Sequence, residues 1–441
     1  MPSVEQRPLR IAVIGAGPAG LGALLALSKI EGVDVQVYEQ ARELREVGAG
    51  ISLHWNTWTL LDLLGAPLIP PESFHRNTEH FRNQHWNGRT KEVLKVNYDS
   101  EDIPEYKRHV RTPRSRLQQA LLKAAPSERI HLKKRLTSIE TITQTNEVRL
   151  LFEDGFETVV DLLVGGDGIR SVVRGHAYPS HTISYAGKIG YRTIFPISHL
   201  EHIPDLPLKT LFWHGPETSL FTTPIGDGLF EVSGRGPEPR ELGEAVSWGQ
   251  PAKKEAMKKH FTEYHETARA IIDAIPEERL NQYAFFGGPQ LKTVIHGGNI
   301  ALLGDASHPL SGAYGSGAAF ALEDAWTLAQ SISYALSQSL PLSEALRLFD
   351  ETRSPYYEQL YEELGRIGAA AKRGAHLDWD ERVKDRIDER WGDLDWIYQY
   401  DVVGAWQATV EREKAGATAL TKAKPGAVPA SPALVAPVAA A

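Results

Sequence analysis

Gly15, Gly17 and Gly20 stand in the order G-x-G-x-x-G, between an apolar run at 9–14 and a helix-forming stretch at 21–30. Each glycine has a physical task at that spacing. Gly15 permits the tight turn, Gly17 lets the backbone approach a pyrophosphate, and Gly20 allows helix and strand to pack closely. The start of the helix adds partial positive charge where phosphates would sit. Glu39 closes a second strand at 33–38, 19 positions after Gly20, where a carboxylate can accept hydrogen bonds from ribose hydroxyls. The motif points to a dinucleotide without separating NAD from FAD. Two further carboxylates end apolar strands: Asp167 in Gly166-Asp167-Gly168, and Asp305 in Gly304-Asp305, which precedes a glycine-rich run at 312–317 and a helix from about Ala318. A carboxylate at a strand end accepts from sugar-like hydroxyls, and the amides of the following helix face anionic or carbonyl oxygens.

Strand, glycine turn, helix and strand within the first 38 residues form a βαβ unit. Strands are expected at 130–139, 148–152 and 157–163, after a helix at 114–125. Between 183 and 300 short strand candidates at 189–195, 210–213 and 229–232 alternate with Pro/Gly turns, followed by helices near 251–264 and 267–274. Long helical patterns cover 318–336 and 342–367, and residues 378–413 read as charged, Trp-containing outer helices. The 441 residues suffice for two to three domains. Hydrophobic residues make up 42% and charged residues 24%, an ordinary globular balance. The net charge of −8 offers no general attraction to nucleic acid or to an anionic membrane surface. With 0 Cys there are no disulfides, thiolate metal sites or cysteine nucleophiles. No run of about 18 apolar residues and no signal-peptide core is present, so the expectation is a cytoplasmic protein without a membrane span. His75, His80 and His85 recur every five residues, share no helical face and alternate on a strand, so no metal is expected.

Taken together, Gly15–Gly20, Glu39, the Glu46-Val47-Gly48-Ala49-Gly50-Ile51 turn, Arg114-Ser115-Arg116-Leu117, Gly166-Asp167-Gly168, Gly304-Asp305 and Ala321-Leu322-Glu323-Asp324-Ala325 resemble the class A flavoprotein aromatic hydroxylases. The salicylate hydroxylase-like branch is the nearest in motif order, over roughly residues 9–370. The resemblance implies an α/β FAD-binding domain, Rossmann-like and of the glutathione-reductase type, with an inserted α+β substrate domain and C-terminal helices. The FAD-binding domain is expected in three parts, 1–74, 110–182 and 295–370. A substrate-domain excursion at 75–109 and the substrate domain at 183–294 interrupt it, with C-terminal helices at 371–414 and a disordered Ala/Pro-rich tail at 415–441.

The resemblance also assigns residues. Glu39 would hold the adenosine ribose, Arg114 the flavin nucleotide and Asp305 the ribityl chain. The amides near Gly317 and Ala318 would face the isoalloxazine, Ser52 would contact FAD, and the segment at Asp167 would serve both FAD and the reduced pyridine nucleotide. NADH or NADPH would be the reductant, and only one G-x-G-x-x-G is present for two nucleotides. The implied reaction is hydroxylation of a small phenolic or aromatic acid by O₂ through a C4a-hydroperoxyflavin, in a monomer or homodimer. Arg192, in Gly190-Tyr191-Arg192-Thr193, aligns with an arginine that some relatives place on the substrate, where it would favour a phenolate or hold a carboxylate. The alternative for Arg192 is a structural arginine beside a strand. Alternatives for the whole chain are an epoxidase or oxidase of the same fold, or a FAD-bound redox or interaction protein without hydroxylation. Departures line the expected active site: Gly312 where relatives often carry Pro, Ala313-Tyr314 where a His or Gln pair is common, Trp55-Asn56 for Pro-Asn, and Thr223 for a Tyr before Pro224. They leave open which aromatic compound is used, which pyridine nucleotide, and whether hydroxylation is decarboxylative.

Overall fold

The computed structural model describes residues 7–44, 49–246 and 249–422. Leu9–Ile14 lies inside a six-stranded sheet, pairing in parallel with Leu162–Gly165 on one side and Val33–Tyr38 on the other. Ile300–Leu302 adds a fourth parallel strand beside Leu162–Gly165, and Ile130–His131 a fifth beside Val33–Tyr38. A strand covered on both faces must be apolar throughout, and Ile11 to Ile14 are all buried. The helix Pro18–Leu27 starts on the proline, whose missing N–H costs nothing in a first turn, and buries every residue from Ala19 to Leu27. It packs against Gly317–Ser337 at Gly22, where an added Cβ would lie 2.9 Å from a methyl of Leu322.

The strand expected over 130–139 is two strands. Ile130–His131 stays in the parallel sheet, while Leu136–Ile142 starts a three-stranded antiparallel sheet with Glu147–Phe152 and Glu157–Val160. Lys133, at φ +60°, turns the chain between them, and the amides of Lys133 and Lys134 bond back to the carbonyls of Ala41 and Glu39.

An eight-stranded sheet forms the second layer, in the order Gln250–Pro251, Asn281–Gly287, Ser184–Pro196, Leu229–Pro237, Ser219–Pro224, Leu211–His214, Phe81–Asn87, Val93–Tyr98. Phe81–Asn87 joins it in parallel beside Leu211–His214, so the 81–98 hairpin and the strands of 184–287 are one sheet. One face carries Ile189, Tyr191, Phe195, Leu220 and Val232 against Met257, Phe261, Ile271 and Ile272. The helix expected over 251–264 shrinks to Lys254–Lys258, because Gln250–Pro251 is taken up as an edge strand. Glu266–Asp273 replaces the helix expected over 267–274. At the C-terminus, Asp378 caps Trp379–Arg390 with a full capping box. The last helix, Val402–Lys422, runs past the boundary at 415: its Ala-rich end has high helix propensity. Residues 423–441 lie outside the described residues. No described helix is long and apolar enough to cross a membrane.

Among the helices packed on Gly317–Ser337, a fully buried charge network ties three helices to one turn. Arg353, in Leu342–Arg373, donates from Nε to Asp324 and from Nη2 to Glu323, both at 2.8 Å. Asn56, in Trp55–Leu64, donates to the other oxygen of Glu323 at 2.8 Å. Asp324 accepts the hydroxyl of Tyr357 and, on its second oxygen, the amide of Gly304 at 2.8 Å, with His308 Nε2 3.1 Å away. Arg353 keeps Asp324 ionised against the cost of burial and holds its pKa below the ordinary carboxylate value. Removing one member of a buried pair strands its partners' charge. Arg353→Met is therefore expected to lower unfolding free energy by about 3–5 kcal/mol, measured by chemical denaturation. A loss below about 1 kcal/mol would show that the two carboxylates are neutralised by other means.

Candidate active site

The glycine turn has the shape its spacing predicts. Gly15 sits at φ +95°, and a Cβ there would lie 2.6 Å from the carbonyl oxygen of Gly166. A Cβ on Gly20 would lie 1.8 Å from the carbonyl oxygen of Gly15, so only glycine lets the helix start this close to the strand. At Gly17, the residue before the helix, an added Cβ would meet nothing within 4 Å. The backbone there faces open space, as close approach of a phosphate group requires. Glu39 stands at the mouth of the turn and accepts the amides of Ala16 and Ala41, both at 2.8 Å.

Asp305 is the exposed member of an otherwise buried turn, between Gly304 and Ala306. A Cβ on Gly317 would lie 3.7 Å from Asp305 Oδ1, so the carboxylate borders the start of the Gly317–Ser337 helix, with Ala318 next in line. Arg174, buried and not anticipated from the sequence, donates to the carbonyls of Asp305 at 3.1 Å and Ala306 at 2.9 Å. It fixes the turn from below. Its place six residues after Gly166-Asp167-Gly168 is the one sequence signal for it.

Two of the expected contact residues have partners within the protein. Both oxygens of Asp167 are engaged: one accepts Ser171 Oγ at 2.5 Å, the other the amides of Val172 and Val173 at 2.7 and 3.2 Å. The carboxylate caps the Val172–Ala177 helix, and burial pushes its pKa up. Ser52 Oγ accepts from Arg111 Nη1 and lies 3.1 Å from His109 Nε2, both distances being 3.1 Å, across the Gly50–Leu53 and Val110–Pro113 pair. Arg114 opens the helix Arg114–Ala124 and its amide donates to Ala49 at 2.9 Å.

The free face of the eight-stranded sheet supplies the second half of the site. Strand alternation puts Gly190 and Arg192 on one side and Tyr191 on the other, where its hydroxyl donates to Glu238 at 3.1 Å. Tyr191 is thereby removed from the pocket. Arg192 is opposite Ser233, and Arg235 is two residues further along the neighbouring strand, so the two arginines are diagonal neighbours on one face. The guanidinium of Arg235 lies 4.7 Å from the centre of the Phe285 ring, and that of Arg192 lies 5.8 Å from the same ring and 5.4 Å from Tyr283. Thr223 is buried and bonded to Thr210 and to the carbonyl of Pro224.

The glycine-rich run closes over this face. Ser311 Oγ donates to the carbonyl of Phe286 at 2.6 Å, Leu310 bridges Gly287, and a Cβ on Gly312 would be 3.9 Å from the Phe285 ring. Gly312 has φ +65°, a conformation closed to proline, whose ring holds φ near −65°. The proline that relatives often carry there would not fit this backbone. Tyr314 is also left-handed, at φ +57°, with its carbonyl held by Tyr398 and the Arg390 guanidinium 6.0 Å from its ring. His308 packs within the buried network, stacked on Tyr357 at 4.2 Å. His85 pairs with His214 at 2.9 Å, and no group of three or more His, Asp or Glu among the described residues is placed to hold a metal.

An open glycine cradle, an exposed carboxylate at a helix start and a glycine-rich loop facing an aromatic and cationic sheet fit FAD. Residues 9–363 match the family described as "FAD binding domain". A salicylate hydroxylase of Pseudomonas putida is 30% identical over 376 residues, 80% of this chain and 83% of the relative. This chain belongs to the FAD-dependent aromatic monooxygenases. A 6-hydroxynicotinate 3-monooxygenase of Bordetella bronchiseptica is 27% identical across 92% of this chain and 99% of its own length. Among solved structures, a salicylate hydroxylase substrate complex matches this monooxygenase fold with a TM-score of 0.74 at 22% identity, covering 91% of this chain and 98% of that one. Klebsiella pneumoniae HpxO, complexed with FAD and uric acid, matches at 0.67 and 22%, covering 92% and 95%.

The open space over Gly17 yields a direct test. A valine there would fill the approach to the helix amides, and losing one charge-assisted hydrogen bond to a phosphate costs about 1.5–3 kcal/mol. Gly17→Val in this monooxygenase is expected to weaken FAD binding about 10- to 150-fold, read by quenching of flavin fluorescence on titration into apoprotein. Unchanged affinity would put the pyrophosphate elsewhere.

Proposed function

We propose that this monooxygenase is an NAD(P)H-consuming hydroxylase of a small phenolic or aromatic acid, of the salicylate type. The observation that carries the reading is Arg192: half-buried, beside Tyr283 and Phe285, and without a hydrogen bond or ion pair to any described residue. Glu231, the nearest carboxylate on its face, is held by Arg111 and by the amide of Gly50 at 3.1 Å. A guanidinium left without an acceptor beside aromatic rings suits a ligand that brings both a ring and an anion. The names of the relatives agree, since salicylate and 6-hydroxynicotinate are both hydroxylated aromatic acids.

In this reading Gly17, Glu39, Asp305 and the amides of Gly317 and Ala318 hold FAD, with Arg114 and Ser52 on the nucleotide side. Bound FAD, reduced by NADH or NADPH, supplies the oxygen-activating chemistry. The protein's part is to hold the acid. Arg192 orients the carboxylate or favours the phenolate, which enriches the ring in electrons. Tyr283, Phe285 and Phe221 exclude water from it. The segment at Asp167, whose carboxylate also fixes the helix at Val172, serves both FAD and the reduced pyridine nucleotide. The reaction is read as cytoplasmic, in a monomer or homodimer.

FAD-loaded protein should oxidise NADH or NADPH faster when an aromatic acid is added, with a product 16 mass units heavier or, if decarboxylative, correspondingly lighter. Peroxide formed in full stoichiometry would indicate an oxidase, and no stimulation a redox or interaction protein. Arg192→Ala should keep FAD but lose about 10- to 150-fold in kcat/KM, with more H₂O₂ per NAD(P)H consumed. Arg192→Lys should recover part of that loss, because a point charge cannot reproduce a planar fork. Wild-type efficiency and coupling in Arg192→Ala would make Arg192 structural.

A further inference from the structure

Arg192 is not alone. Arg235 and Arg390 share its condition: each is half-buried, Arg235 lies over the Phe285 ring and Arg390 over those of Tyr314 and Trp391, and neither has a hydrogen bond or ion pair among the described residues. Behind them stand two more cations, already supplied with neutral acceptors. Arg386 donates to the carbonyls of Gly215 and Thr218, both at 2.7 Å, and Lys188 donates to the carbonyl of Glu217 at 3.2 Å. Carboxylates do not balance the group. Glu231 is bound to Arg111, Glu238 to Lys259 and His260 on the opposite face, and Glu217 to Arg382 at 3.2 Å.

Such crowding has an electrostatic cost. Burial and the neighbouring charges of Arg192, Arg390 and Arg386 push Arg235 down to about 9, far below a guanidinium's ordinary value. Burial, with Arg386, Arg390 and Arg235 adding to it, pushes Lys188 down to about 8. A chain whose net charge is −8 nevertheless gathers five cations within electrostatic reach of Arg235 and its neighbours. One carboxylate can be gripped by one guanidinium fork, or bridge two. It leaves the third without a counter-charge in a site of low polarity.

We propose that the substrate carries two anionic groups on its ring, a hydroxy-aromatic dicarboxylate, with Arg192 taking one group and Arg235 and Arg390 the other. This rests on the hydroxylase reading above and narrows its substrate class. The outer cations, Lys188 and Arg386, then act as a positive approach that raises the local concentration of a dianion. The rings of Tyr283 and Phe285 beside Arg192 and Arg235, and Phe221 opposite Ser233 on the same face, offer the flat, apolar surface that an aromatic body needs and an extended phosphate chain does not. An aromatic diacid therefore suits the pocket better than the phosphates of the pyridine nucleotide.

The test is equilibrium binding to the FAD-loaded protein without reductant, followed by perturbation of the flavin absorbance. The probes are phenol, salicylate, 4-hydroxyisophthalate, 5-hydroxyisophthalate, 2-hydroxyterephthalate and NADP⁺. The best of the three dicarboxylates is expected to bind at least about 10-fold more tightly than salicylate, with phenol weakest, and to lose more affinity than salicylate as salt is raised. In Arg235→Met the dicarboxylate-to-salicylate ratio should fall towards one, and Arg235→Lys should restore part of it, with FAD content and melting temperature recorded for both. The proposal is overturned if no dicarboxylate binds more tightly than salicylate, if the ratio survives in Arg235→Met, or if that substitution weakens NADP⁺ instead. Because no turnover is involved, the dianion preference can fail while hydroxylation stands, and hydroxylation can fail while the preference stands.

Discussion

The carboxylate of Asp324 is the point on which the site depends. One of its oxygens holds the amide of Gly304, the other meets Arg353 and Tyr357, and the whole group is sealed from water. An ion in that position is tolerable only if every lone pair is used, which forces the helices carrying Arg353 and Asn56 into fixed positions. The turn that bears Asp305 is thus clamped from inside by Asp324 and from below by Arg174. Asp305 is left as the exposed carboxylate of a rigid turn, where it can meet a ribityl hydroxyl without paying to order itself first.

The sheet face is built on the opposite principle. In the buried network the cation has its anions, whereas Arg192 and Arg235 on the sheet face, with Arg390 from the helix Trp379–Arg390, have rings beside them and no ion pair among the described residues. The first arrangement fixes geometry, and the second is complete only with a ligand. The boundary between them is the loop at 310–317, held to the sheet through Ser311 and to the helix layer through Tyr314 and Tyr398. A flavin placed at that loop has rigid helices behind it and the cationic pocket in front.

Much of the nucleotide site was legible because its residues are local in sequence. The spacing of Gly15, Gly17 and Gly20 encodes a turn, an open approach and a close helix contact, and the structure shows each as steric fact. Asp305 was legible as a strand-end carboxylate. Asp167 has the same local signature, and its carboxylate also accepts Ser171 and two amides at the start of its own helix, which the local pattern does not state. The pocket was legible only at Arg192. Arg235 shares its face through cross-strand register, and Arg390 arrives from a helix almost 200 residues away, a juxtaposition that no local pattern encodes. Alternation along Ser233-Gly234-Arg235 could have aligned Arg235 with Arg192 had the pairing of the two strands been known. Gly312 departs from the proline common in relatives, and its left-handed backbone, which proline cannot adopt, is a conformation that sequence alone does not state.

The central claim is that one atom of O₂ enters the ring of an acid held on this face. Turnover of the FAD-loaded protein under ¹⁸O₂ with NAD(P)H and the tightest-binding aromatic acid, followed by mass spectrometry of the product, measures it directly. The account predicts one ¹⁸O per product molecule and no ¹⁸O in product formed under ¹⁶O₂ in H₂¹⁸O. A product oxygen drawn from water, or all of the ¹⁸O recovered as hydrogen peroxide with the acid unchanged, would contradict it.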